Sequence, residues 1–177
     1  MLFYYSPANA KLKVQFAKLD LTTHPKHLEQ IAVWVETKWG YLRGFLGMEY
    51  RLSAIIKIAD HFHVMTYGGQ LIGCFALFDR PVENGEIKKK RFKVPELKVK
   101  GIIAKELMYV YIDEPFRGLG LGKVIVNQAK AICENEGANM IVLDTLNTNL
   151  NHFYENCGAK VVCEGELLKH PTSILRM

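Results

Sequence analysis

Glu114-Pro115-Phe116-Arg117-Gly118-Leu119-Gly120-Leu121-Gly122-Lys123 decides how this chain is read. Upstream, Ile102 to Asp113 reads as a long strand. Downstream, Ile125, Ala129, Ile132 and Cys133 fall on one face of a helix over residues 120–136, with Gly137 as its stop. The ten residues between are a strand-to-helix turn. Glycines at alternate positions keep side chains out of that turn, so backbone N–H groups can approach an anion closely. They also open a helix, where the first N–H groups are unpaired and the dipole is positive. Arg117 and Lys123 add formal charge. The stretch is built for a phosphate or pyrophosphate.

Which phosphate ligand it takes depends on the flanking residues. A Walker loop needs Gly-x-x-x-x-Gly-Lys and then Ser or Thr. Counting back from Lys123, its first glycine would be Arg117, and Val124 replaces the hydroxyl residue, so that reading fails. A dinucleotide fingerprint needs Gly-x-Gly-x-x-Gly. Its third glycine falls on Ile125 or Lys123, which weakens the reading, although Asp144 lies at a suitable distance for the acidic partner. A glycine turn with no ligand is the plain alternative.

Further out, the chain alternates helical and strand patterns. Residues 11–19 read as a first strand. Thr22-Thr23-His24-Pro25 is a helix start with a hydroxyl cap, followed by Leu28, Ile31, Ala32, Val35 and Trp39 at helical spacing and Gly40 as the stop. Met48, Leu52, Ile55, Ile56 and Ala59 mark a second helix. Phe62–Tyr67 and Gln70–Asp79 are strands joined at Gly68-Gly69. After the 120–136 helix come a buried strand at 139–145, a short helix at 150–156 and closing strands at 158–164 and 172–177. This order predicts one α/β domain over residues 1–177, a mixed sheet covered by helices. The unit from 102 to 145 is expected to be a right-handed crossover between two parallel strands.

Composition narrows the classes. Of the 177 residues, 49% are apolar and 11% aromatic, enough to fill a core. No apolar run reaches a membrane span and the start does not resemble a secretory signal, so a cytoplasmic protein is expected. Cys74, Cys133, Cys157 and Cys163 form no Cys-x-x-Cys pair and read as reduced structural residues. His61 and His63 alternate on a strand, but two ligands do not make a metal site, and none is expected. The net charge is +5, and residues 80–100 hold all of it, with eight basic and three acidic side chains around the turn at Asn84-Gly85. Phe92 is the only aromatic residue there, so this basic insertion lacks the stacking platform of a single-strand binder, and nucleic acid is not the expected partner.

Arg117-x-x-Gly120-x-Gly122 at such a turn resembles the acetyl-CoA motif of the GNAT superfamily of N-acetyltransferases. Glu106 to Asp113 resembles the strand before that motif. Asn147, followed seven residues later by Tyr154 in Phe153-Tyr154-Glu155-Asn156-Cys157-Gly158, resembles the family's later Asn-and-Tyr segment. The resemblance covers residues 102 to about 163. Pro115 comes one residue late, and Ala159 stands where phenylalanine is common. It implies a mixed, mostly antiparallel sheet in which strands at 107–112 and 140–144 splay apart. It implies that the amides of Gly118, Leu119, Gly120, Leu121, Gly122 and Lys123, with Arg117, hold the pyrophosphate of acetyl-CoA. The backbone of Val110 and Ile112 would pair with the pantetheine arm, Asn147 would contact that arm, and Tyr154 would sit near the thioester sulfur.

An alkyl amine with a pKa of about 10.4 is a free base in only about one molecule in 2,500 at pH 7. A carboxylate must take its proton, directly or through water, and Glu106 matches the family's acidic strand residue. A strand-edge charge facing solvent is its plain reading. Val110 N–H would stabilise the oxyanion, and Tyr154 would protonate the departing thiolate. The expected acceptor is a small-molecule amine, with a protein lysine or N-terminus second and a non-catalytic acyl-CoA sensor third. Assembly as a homodimer is compatible with all three.

Overall fold

The computed structural model describes residues 13–80 and 103–177, with the backbone of three short strands between them. The elements in chain order are β1 (Gln15–Lys18), α1 (Pro25–Trp39), α2 (Met48–Ile56), β2 (Phe62–Tyr67), β3 (Gln70–Arg80), β4 (Val82–Glu83), β5 (Glu86–Lys89), β6 (Phe92–Lys93), β7 (Ala104–Ile112), α3 (Leu121–Asn135), β8 (Met140–Thr145), α4 (Asn149–Asn156), β9 (Lys160–Leu167) and β10 (His170–Arg176). Seven of these strands form one mixed sheet in the order β1-β2-β3-β7-β8-β10-β9. The β7–β8 pair, joined through α3, is parallel, and the other described pairs are antiparallel. β4 and β5 pair antiparallel on either side of Asn84-Gly85, and β6 adds to β5. The cationic side chains of that segment, Arg80 excepted, lie outside the described residues.

Each face of the sheet carries its own core. On one face, Ile31, Trp34, Val35 and Ile55 of α1 and α2 cover Phe62, Val64, Cys74 and Ala76. On the other, Leu121, Ile125, Val126 and Ala129 of α3 and Tyr154 of α4 cover Met65, Phe75, Leu107, Ile141 and Leu143. The strict alternation of side chains along a strand splits the residues this way.

Several element ends differ from their sequence reading. The Thr22 and Thr23 hydroxyls do not cap α1; both donate to the Asp20 carboxylate, at 2.6 and 2.8 Å, and form a turn before His24. Gly40 does not stop α1 by a left-handed turn. It is right-handed (φ −57°) and opens a tight 3-10 turn over Gly40–Arg43, which Gly44 ends at φ 73°. Glycine is needed at 40 for space, because a Cβ there would lie 2.7 Å from Cδ1 of Phe45 and 3.0 Å from Glu36. The second helix ends at Ile56, and Ala59 begins a separate 3-10 turn. Glu36 binds Arg51 at 2.8 Å with both side chains buried, so an ion pair ties α1 to α2.

Candidate functional site

The parallel ladder holds Ala104–Leu107 against Met140–Leu143 and stops there. The expected splay therefore begins at Met108 and Asp144, not at 107 and 140. Above Leu107, β7 continues to Ile112 while β8 ends at Thr145. β10 pairs with β8 only from Ser173 on, so its first residues stand across a gap from the upper half of β7.

A bulge aims the backbone of β7 into that gap. Cys74 pairs with Tyr111 but Ala76 pairs with Met108, so β7 has an extra residue here, and Tyr109 is left-handed at φ 53°. The Tyr109 carbonyl faces β3, where it accepts from the Cys74 thiol at 3.6 Å. No peptide bond among the described residues is cis. Carbonyl and N–H point opposite ways across a trans peptide, so Val110 N–H points away from β3 into the gap. The same argument turns the Ile112 carbonyl to the gap side, because Asp113 N–H donates to Ile72 at 2.9 Å. That carbonyl already accepts from Arg117 Nε at 2.9 Å.

The glycine turn lies at the end of β7. Gly118 and Gly120 adopt φ 77° and 76°, which only glycine takes without strain, and a Cβ on either meets nothing within 4 Å. Gly122 has a different role: it is helical, and a Cβ there would lie 2.9 Å from the Phe153 ring. It lets the middle of α4 pack on the start of α3. Among the described residues, the amides of Gly118, Leu119, Gly120, Leu121 and Gly122 meet no protein acceptor, while Lys123 N–H donates to Gly120 at 3.1 Å. Five such donors at a helix start form a nest that an anion would fit. Arg117 is not aimed there. Its guanidinium lies 5.2 Å over the Tyr111 ring and 3.5 Å from Glu114, bracing the end of β7.

On the α4 side, Asn147 Oδ1 accepts from Asn149 N–H at 3.0 Å, so the side chain caps α4 and leaves its NH2 as the donor to spare. Tyr154 is 8% exposed, and burial pushes its phenol up to about 12, with Cys157 beside it adding to the shift. Asn151, which the sequence reading passed over, joins Thr145 of β8 to Ser173 of β10 through its side-chain amide.

Glu106 sits on the α1 side of the sheet and is 1% exposed, not at a solvent-facing edge. It pairs with Arg80, which reaches across from β3. The positive charge of Arg80 also interacts with Asp144, whose register partner Ile174 belongs to the small cluster on that face. Above them, an aromatic run leads to the gap. Phe62 stacks on Tyr109 at 5.4 Å, Trp39 meets Tyr109 edge-on at 5.6 Å, and Trp34 stacks on Tyr111 at 4.9 Å. Tyr109 and Tyr111 were readable only as strand residues, and Asp144 only as the acidic partner of a weakened dinucleotide reading, because their place depends on the bulge and on where β8 ends.

A gap between parallel strands, an anion nest beside it and an N–H aimed into it form one site. The sequence profile of the Acetyltransferase (GNAT) family matches residues 28–159. The chain belongs to this family. Among its GNAT relatives, the uncharacterized N-acetyltransferase CT2212 of Chlorobaculum tepidum is 27% identical over 123 residues. That match covers 70% of this chain and 64% of the relative, so the chain spans less than two thirds of the curated protein it matches. An aminoglycoside 6'-N-acetyltransferase solved with coenzyme A superposes with a TM-score of 0.66 at 15% identity, over 92% of this chain and 96% of that one. The NatC complex bound to Gag peptide and CoA gives 0.65 at 13% identity, over 93% and 97%. At these identities the two solved proteins share the GNAT fold with this chain. None of the described helices is long and apolar enough to cross a membrane.

Proposed function

We propose that the protein transfers the acetyl group of acetyl-CoA to a primary amine, with a small molecule as the acceptor. The observation that carries this reading is the pair of donor sets at the gap: five amides at Gly118–Gly122 with no acceptor among the described residues, and Val110 N–H pointing between the strands. The residues present fit coenzyme A. The glycine nest would hold its pyrophosphate, with Lys123 adding charge, and the open edge of β7 at Val110 and Ile112 would run beside the pantetheine arm. The Asn147 NH2 would donate to that arm. When bound, acetyl-CoA supplies a thioester that an amine attacks without a covalent enzyme intermediate.

The chain's own groups divide the work. Val110 N–H would stabilise negative charge on the carbonyl oxygen. Glu106 would take the ammonium proton. It lies four residues down β7 from Val110, about 13 Å of strand, so the proton must travel through water. Tyr154 would donate a hydrogen bond to the departing thiolate. With its phenol near 12 against a thiol near 8.5, complete transfer is uphill by about 5 kcal/mol, so the hydrogen bond matters more than full protonation. The ion pair that holds Glu106 is what favours the second reading, an acyl-CoA sensor without turnover.

Calorimetry with acetyl-CoA, on wild type and Gly120→Glu, tests the nest; thiol release with a panel of amines tests transfer. Micromolar binding that the variant loses, together with amine-dependent thiol release, supports the proposal. Binding without release from any amine supports the sensor. No binding refutes both.

A further inference from the structure

We propose that Tyr41 and His170 form a filter over the acceptor side of the gap, admitting a primary amine on an unbranched alkyl arm and turning away amines that carry a ring one carbon from the nitrogen. The inference rests on the acetyl-transfer reading and names the acceptor class for that same site.

The two residues come from opposite banks. Tyr41 lies in the 3-10 turn that follows α1, and α1 packs over the upper half of β7 through Trp34 and Trp39. His170 is the first residue of β10, beyond the last rung that β10 shares with β8. Their rings meet edge to face, with centroids 5.0 Å apart and planes at 88°. Because β8 ends between these banks, the contact crosses the gap on the α1 face. The anion nest and α3 belong to the other face. A cofactor held there leaves the α1 face as the way in for an amine. Under the bridge the half-buried rings of Trp39, Tyr109 and Tyr111 make an apolar wall, and the Asp144 carboxylate lies on the same face at the end of the ladder. Such a passage suits a slender apolar arm with a cationic end.

Strained backbone occurs on both banks. Four non-glycine residues among those described have positive φ: Phe45 (52°), Tyr109 (53°), Leu168 (50°) and Lys169 (68°). Each lies within four residues of Tyr41 or His170, or belongs to the aromatic wall. Phe45 closes the turn that carries Tyr41, with its N–H on Gly40 at 2.9 Å, and Tyr109 is the bulge. Leu168 and Lys169 form the two-residue turn that delivers His170, a turn that ordinarily takes Asn-Gly. Left-handed side-chain-bearing residues are strained, and they collect where a site needs a fixed geometry.

The test measures n-pentylamine and cyclohexylmethylamine binding to the CoA-loaded protein by calorimetry. Wild type is expected to prefer n-pentylamine by roughly ten-fold, the upper end of what one edge-to-face contact is worth. Tyr41→Ala and His170→Ala are expected to erase most of that preference by tightening the ring amine, while Tyr41→Phe and His170→Phe keep it. CoA affinity, measured on each variant, checks that the fold is intact. No preference in wild type, or equal loss of both amines in the alanine variants, overturns the filter. Selective binding without thiol release from acetyl-CoA would sink the transfer reading and leave the filter standing. A lysine side chain carries the same arm, so a terminally blocked lysyl pentapeptide beside the free amine tells the two sources apart.

Discussion

Gly122→Ala places a methyl group where the middle of α4 packs on the start of α3. The new Cβ would lie 2.9 Å from Cζ and 3.2 Å from Cε2 of Phe153, too close for either atom to stay. Two effects oppose each other. Alanine favours a helix over glycine by about 1 kcal/mol. Overpacking costs about 1–3 kcal/mol, and the Phe153 ring cannot move freely because it already meets Tyr154 edge-on at 4.9 Å. Net destabilisation of about 1 kcal/mol is expected, with α4 displaced and acetyl-CoA affinity reduced through Asn147 and Tyr154. Phe153→Leu removes the atoms that collide. The double variant then keeps the helix gain without the clash, so the two substitutions should couple by about 1–3 kcal/mol in urea denaturation. Additivity within about 0.5 kcal/mol would refute the reasoning and return Gly122 to a role in the anion nest alone.

His63 is buried against Phe75, and burial lowers its pKa from 6.5 to about 4, with Lys18 adding to the shift and Glu136 opposing it. Its folded pKa is depressed, so the unfolded chain binds the proton first. Stability is therefore full above about pH 6.5 and falls toward pH 4, by up to about 3 kcal/mol. Urea midpoints across that range would show this acid loss, reduced in His63→Gln. Arg51→Met strands the buried Glu36 carboxylate and should cost about 3–5 kcal/mol, read as a fall in Tm. Adding Glu36→Gln should recover part of that loss.

The sequence made the helices and strands legible wherever apolar periodicity was long, and the glycine turn legible as a run of unpaired donors at a helix start. The chemistry of individual glycines was not legible. Gly118 and Gly120 need their conformation, whereas Gly40 and Gly122 need space against Phe45 and Phe153, and only the packing tells these apart. The acidic strand residue was found at Glu106, but its ion partner Arg80 lies on another strand, 26 residues away. Nothing local in the sequence links His170 to Tyr41. The bulge at Tyr109 left no mark in the sequence of β7, since Met108, Tyr109, Val110 and Tyr111 are all ordinary strand residues. What escaped the sequence depends on register, and register is decided by the whole sheet.

The position of β10 sets an order of events for a chain emerging from a ribosome. β10 lies between β8 and β9, so β9 has no hydrogen-bonded neighbour in the sheet until residues 170–176 have been made. Until then β8, paired with β7 on one side, presents a bare edge on the other, and that edge and the unpaired β9 are open to the wrong partner. The tight turn at Leu168-Lys169 shortens that exposure, because β10 folds back on β9 as soon as it is synthesised and the hairpin docks on β8 as one piece. A protease cutting that turn in the finished protein would leave β10 held by β8 and β9 held by β10, so the nick alone would not release either strand.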